Sequence, residues 1–314
     1  MKNILHFSFP CLLFLITINI SAQTPTDAIM MGRGQVCLAA IYSHDSWDEY
    51  WEGTLLRTNG NIGTFTRHTI MPMAAIGLFD RLNVIVAAPW MKTESSDGYI
   101  KGISGFQDWG IWLKGKALET SAGPGNLNLL AAVGLNGPFS NYPSDYAPYS
   151  LGLSCLDLSL RGIAMYRLNA GPYVRASMAY QLRGNSMVER DYYYTTYGVY
   201  SDKVDMPNAI NYSFALGSWF LNDALRIEAN YESFNTIGGH DIRRQDVGFP
   251  SNNMEFTRFG GLVQLYVGDT GLGFVASASQ VLTGRNVGKS TMFSGGITYF
   301  FGLWNKTETE VIDN

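Results

Sequence analysis

About twelve short stretches of this chain alternate apolar and polar residues with a period of two, which is the signature of half-buried strands. After residue 22 no apolar run approaches the roughly 18 residues that a membrane-spanning helix needs; the longest, Val84 to Met91, is interrupted by Pro89. The alternation has two readings. In the segment 224–235, Leu225, Ile227, Ala229 and Tyr231 alternate with Arg226, Glu228, Asn230 and Glu232. In 172–183, Val174, Ala176, Met178, Tyr180 and Leu182 alternate with Arg175, Ser177, Gln181 and Arg183. A soluble sheet would turn the charged face to water, whereas a membrane barrel turns it to the lumen and gives the apolar face to lipid.

Three further features favour the barrel. Charged residues make up 15% of the chain and aromatics 13%, against roughly a quarter charged in an ordinary soluble domain. Strands are predicted near 34–44, 64–78, 82–91, 105–117, 126–136, 154–167, 172–183, 209–221, 224–235, 254–267, 271–282 and 290–302. Their connections alternate between tight turns, such as Phe79-Asp80-Arg81, Asn169-Ala170-Gly171, Asn222-Asp223 and Gly268-Asp269-Thr270, and long polar loops. The last strand, Ser294 to Phe301, also fits a polar-x-Gly-x-x-aromatic-x-aromatic pattern through Ser294, Gly296, Tyr299 and Phe301, the kind read by outer-membrane assembly machinery. The expected fold is all-β: a single-chain transmembrane antiparallel barrel of about 12 strands, spanning 23–304 and embedded in outer-membrane lipids of a Gram-negative-type cell.

Residues 1–22 read as an export signal, with Lys2, an apolar stretch from Pro10 to Ile20, and Ser21-Ala22 before the cleavage point. Residues 305–314 are polar and acidic and read as a tail. Cys37 and Cys155 are expected on strands one and six, on opposite walls, as free thiols. With a net charge of −4 and no basic run, a nucleic-acid footprint is excluded.

Candidate chemistry is sparse. His44, His68 and His240 lack paired-ligand spacing, so neither a metal site nor a cofactor is expected. His44 and Ser46 fall on one strand face and could serve an outer-membrane lipase or deacylase, but no third member accompanies them. His240-Asp241 with Asp246 lacks the facing carboxylates that a rim protease would need. Gly271 to Ala276 imitates a dinucleotide fingerprint, yet it alternates as a strand where a helix should begin.

The lumen is the richer candidate. Carrying the alternation through the strands places Arg67, Lys114, Lys116, Arg161, Arg167, Arg175, Arg183, Arg226 and Arg258 inside, against Asp108, Asp157, Glu228 and Glu232. Nine cations against four acids imply a basic lining that favours anions, unless the same residues form a ladder of ion pairs that fills the lumen. Twelve strands about 4.8 Å apart, tilted about 40°, close to a backbone diameter of roughly 24 Å. Loop 184–208, with Tyr192, Tyr193, Tyr194, Tyr197 and Tyr200, suits a rim girdle, a lid or a binding surface.

Residues 76–117 resemble the outer-membrane family named for the MetA pathway of phenol degradation. The likeness rests on Ile76-Gly77-Leu78-Phe79-Asp80-Arg81-Leu82-Asn83-Val84, on Pro89-Trp90, and on Gly105-Phe106-Gln107-Asp108 leading to Lys114, with Gln107 in place of the family's second glycine. The resemblance implies a transporter of small, aromatic or hydrophobic compounds, with Asp108 and Lys114 as the positions carried over. The expected function is passive passage of small-molecule solutes, anionic or aromatic among them, and not catalysis; the alternatives are the His44–Ser46 hydrolase and a non-conducting, partner-binding barrel.

Overall fold

The computed structural model describes residues 23–195, 197–241 and 252–303. The expected export signal 1–22, the tail 305–314 and Asp246 lie outside the described residues. Strand β1 (Gln35–Trp47) is followed by a small hairpin, β2 (Glu49–Glu52) with β3 (Leu55–Thr58), and then by β4 (Phe65–Phe79). β5 (Leu82–Ala87) and β6 (Trp90–Ser95) are halves of one stave interrupted at Ala88-Pro89; β7 (Ser104–Phe106) and β8 (Asp108–Ala122) are halves of the next, interrupted at Gln107. Proline supplies no ladder donor, which explains the first break; the ladder is bridged there by Gln107 N–H donating to Pro89 O at 2.9 Å. β9 (Gly125–Pro138), β10 (Asp157–Leu168) and β11 (Pro172–Arg183) follow. The short strands β12 (Asn185–Met187), β13 (Tyr193–Tyr194), β14 (Gly198–Val199) and β15 (Lys203–Asp205) build a loop before β16 (Ala209–Phe220), β17 (Leu225–Thr236), β18 (Glu255–Tyr266), β19 (Leu272–Arg285) and β20 (Thr291–Gly302).

Every pairing in the main sheet is antiparallel, and β1 pairs with both β4 and β20, so twelve staves close into a barrel. Closure leaves no edge. The outer face is an exposed apolar band: Val133, Leu160, Val174, Phe214, Leu216, Ile227, Phe259 and Ile297 all point away from the lumen. Tyr299 and Phe301 are exposed on this same face, while Thr298 is buried and Phe300 packs against Tyr266. An apolar exterior on a closed sheet, short turns at one rim and long loops at the other, is the arrangement of an outer-membrane barrel; the short-turn rim is the periplasmic one. Among the described residues the helical element is a single 3₁₀ turn, Gly268–Thr270, and Leu272 onward is strand, so the glycine-rich stretch there opens no nucleotide-binding helix.

The strand boundaries depart from expectation where it matters. β1 runs on to Trp47 and takes Asp45 into the barrel wall. Cys155 is not on a strand: β10 begins at Asp157, and Cys155 packs with Val188, Val204 and Met206 beneath the 184–208 loop. Cys37 and Cys155 are both buried free thiols.

Candidate functional site

The lumen is occupied from both ends by segments of the chain itself. At the periplasmic end, residues 23–34 turn up into the barrel before β1 begins. Asp27 shapes this segment. Its Oδ2 accepts from Thr24 N–H and Oγ1 at 2.6 and 2.7 Å, and its Oδ1 from Ile29 N–H at 2.9 Å. The carboxylate is then clamped by Lys114 of β8, whose Nζ donates to Asp27 Oδ1 at 2.7 Å and to Thr24 O at 2.8 Å. Lys114 has no exposed surface and Asp27 is 3% exposed. Burying two charges is tolerable only when they are paired and hydrogen-bonded, as they are here.

Apolar packing completes the docking. Met31 lies among Cys37, Ala75 and Ile85, with Trp112 alongside, and Ala28 packs on Leu130 and Ile163. Gly77 permits the close approach to β4, because a Cβ there would stand 2.0 Å from Gly32 O. In a barrel with lipid outside, this inner packing is the protein's core.

At the other mouth, residues 139–156 fold inward over β4, β6 and β8. Tyr142 OH donates to the Asp108 carboxylate and accepts from Ser154 N–H at 2.8 Å. Thr93 Oγ1 donates to Tyr149 O at 2.9 Å, and Leu151 packs with Met91 and Tyr142. Burial, reinforced by the neighbouring Asp108 charge, holds the Tyr142 phenol well above its ordinary range, so it remains a donor. Asp108 and Lys114, six residues apart on β8, thus each fasten one of the inserted segments.

The charged inner face is a set of ion pairs. Arg67 pairs with Asp45, Arg167 with Asp223, Arg183 with Asp157 and Arg258 with Glu232. Lys116 pairs with Glu119 at 3.0 Å, and Glu228 is shared by Arg175 at 2.8 Å and Arg226 at 2.5 Å. Arg161 meets no carboxylate directly; it donates to Ser177 Oγ at 3.0 Å and Asn211 Oδ1 at 3.3 Å. Asp108 faces Tyr142, not a cation.

The expected large excess of lumen cations is therefore corrected. Asp27, Asp45, Glu119 and Asp223 join the four acids already counted, so the nine cations face eight carboxylates. Each omission has its own cause. Asp45 lies beyond the predicted end of the first strand, Asp223 sits in a turn, and Asp27 precedes the barrel. Glu119 lies beyond the predicted end of the fourth strand at 117, and a β-bulge between Lys116 and Leu118, which inserts Ala117, flips the parity there: Leu118 pairs Leu129 outward and Glu119 pairs Asn128 inward. The inserted N-terminal segment itself had one sequence clue, a lysine at an inward position of β8 with no acid among its strand neighbours.

The remaining candidates scatter. His44 lies 5.0 Å, ring to ring, from His68, and it is His68 that reaches Tyr42 OH (2.8 Å) and Glu94 (3.2 Å). No carboxylate orients His44 among the described contacts, and Ser46 pairs with Thr291 and Thr66 in the sheet. Asp241 is held by Arg285 and Asn286. The tyrosine-rich loop keeps its rings at the surface: Tyr192, Tyr194, Tyr197 and Tyr200 are exposed, with Tyr192 and Tyr200 in ring contact at 5.1 Å. Among the described residues no cluster of metal-binding side chains occurs.

No family model and no curated protein matches the chain. Solved structures do. The crystal structure of an outer membrane channel from Pseudomonas putida F1 aligns with a TM-score of 0.72 over 89% of this chain and all of that one, at 16% identity. The translocator domain of the autotransporter NalP from Neisseria meningitidis gives 0.45 over 86% of this chain and 90% of that one, at 13% identity. The first likeness shows the fold: a closed twelve-stranded antiparallel barrel.

Proposed function

We propose that the chain is an outer-membrane channel for passive passage of small solutes, its aperture set by the N-terminal segment below and loop 139–156 above. The observation that carries this is an inner wall built of charged and polar side chains around a cavity, in a barrel whose exterior is apolar. The P. putida structure, that of an outer membrane channel, supports the same reading.

The resemblance to the MetA-pathway family is consistent with it. Both carried-over positions, Asp108 and Lys114, hold an inserted segment in place, a role that would keep them in a gated channel. With nine cations against eight acids, selectivity for anions is weak and local rather than diffuse. The seam between β1 and β20, with its outward Tyr299 and Phe301, is the surface on which assembly machinery would act.

Reconstitution into planar bilayers tests the proposal: discrete conductance steps support it, and a silent barrel, before and after deletion of residues 24–33, refutes it. The exposed tyrosines of the 184–208 loop favour a second reading, a partner-binding barrel. Such a barrel would be silent in the same experiment and would crosslink to a partner through that loop.

A further inference from the structure

We infer that the cavity beside the N-terminal segment is a binding site for a small organic monoanion, a single carboxylate on an apolar body. The cavity has a volume of about 270 Å³ and lies between residues 28–30 of the segment and the wall formed by β8, β9, β10, β11, β16 and β17. That is just below the usual range for ligand pockets, which starts at about 300 Å³. Its occupant must be small.

The charges around it do not balance. Five cations, Lys114, Lys116, Arg167, Arg175 and Arg226, share four carboxylates, Asp27, Glu119, Asp223 and Glu228. The deficit falls on Glu228, whose two oxygens are divided between Arg175 and Arg226. Arg226 is otherwise satisfied: its Nε donates to Tyr173 OH at 2.8 Å, and its guanidinium lies over the Trp219 ring at 5.7 Å. Arg175 is not. It is 9% exposed, gives Nη2 to Glu228, and keeps its Nε buried without a partner. A buried guanidinium with only half a counterion is an unfinished ion pair, and an anion in the cavity that Arg175 lines supplies the other half.

The rest of the lining selects which anion. Ile29, Met30, Met165 and Trp219 give the cavity apolar walls. A multiply charged inorganic ion would exceed the single surplus charge and leave those walls unused. A monocarboxylate with an apolar body satisfies both sides. One wall is the N-terminal segment itself, so bound anion and docked segment support each other.

The inference deepens the channel reading in that solutes must reach the lumen, but its test does not depend on conduction. Calorimetric titration of the whole chain in detergent, in low-chloride buffer, uses benzoate as probe and benzamide as its neutral counterpart. Saturable one-site benzoate binding is expected, with benzamide weaker by about tenfold or more, since a bond to a charged group is lost. Arg175→Met removes the surplus charge while leaving the Arg226–Glu228 pair intact, and should weaken benzoate about tenfold or more. Met165→Trp fills the cavity with the charges unchanged and should do the same; it carries the test if Arg175→Met does not fold. Equal binding of benzoate and benzamide, unchanged binding in the folded variants, or displacement of benzoate by equimolar chloride would overturn the assignment. A conducting barrel that ignores benzoate removes the site and leaves the channel; a silent barrel that binds it does the reverse.

Discussion

Replacing Lys114 with methionine should release the N-terminal segment from the lumen. In the wild type Lys114 Nζ holds Asp27 at 2.7 Å and Thr24 O at 2.8 Å, and both charged groups are buried. Lys114→Met leaves the Asp27 carboxylate buried without its partner, which costs about 3–5 kcal/mol. The sheet is not forced to bear this cost, because the segment can withdraw and carry Asp27 into water. Opposing withdrawal is the apolar docking, chiefly Met31, worth about 1.5–3 kcal/mol when fully buried. The electrostatic loss is at least comparable, and it shifts the docked-to-free ratio by about two to three orders of magnitude at about 1.4 kcal/mol per tenfold. The readouts are single-channel conductance and thiol labelling of Ala28→Cys, a position 8% exposed when docked. Lys114→Met should raise both. Adding Asp27→Leu should restore docking in large part, because replacing both members of a buried pair with apolar residues is close to neutral. Wild-type conductance and wild-type labelling in Lys114→Met would refute the reasoning.

Other outcomes follow from the same geometry. Tyr142→Phe deletes the donor to Asp108 and the acceptor for Ser154 N–H; loop 139–156 should loosen by about 1–3 kcal/mol, read as faster protease cleavage within it. Burial pushes the Cys155 thiol up to about 11. A raised thiol pKa means less thiolate below it, about one part in a thousand at pH 8, so the folded protein should resist maleimide at that pH and react fully once unfolded. Phe214→Arg, on the outer face near the middle of β16, should destabilise the barrel in lipid by about 2–4 kcal/mol in denaturant titrations.

The barrel was legible because closure and alternation act on every strand at once, so boundary errors of a few residues at β1 or β10 leave the faces unchanged. The lining cations were legible for the same reason. Their partners were not. Glu119 required knowledge of the bulge at Ala117, and Asp223 depended on a turn whose backbone, with φ of 55° at Asn222 and 66° at Asp223, aims the carboxylate at Arg167. Asp27 lies before the first strand, where period-two reasoning has nothing to say. Loop 139–156 enters the mouth through contacts made by Tyr142, Tyr149 and Leu151, whereas the tyrosine-dense loop 184–208 leaves Tyr192, Tyr194, Tyr197 and Tyr200 exposed. Aromatic density alone does not distinguish a rim from a lid; a buried acceptor such as Asp108 does.

The most direct test of the central claim is the reversal potential of the purified wild-type chain in a planar bilayer under a potassium chloride gradient. The account predicts discrete steps with a slight preference for chloride, set by the net excess of one cation over the carboxylates of the lumen. A membrane that stays silent for the wild type and also after deletion of residues 24–33, or a pore that prefers potassium, would contradict it.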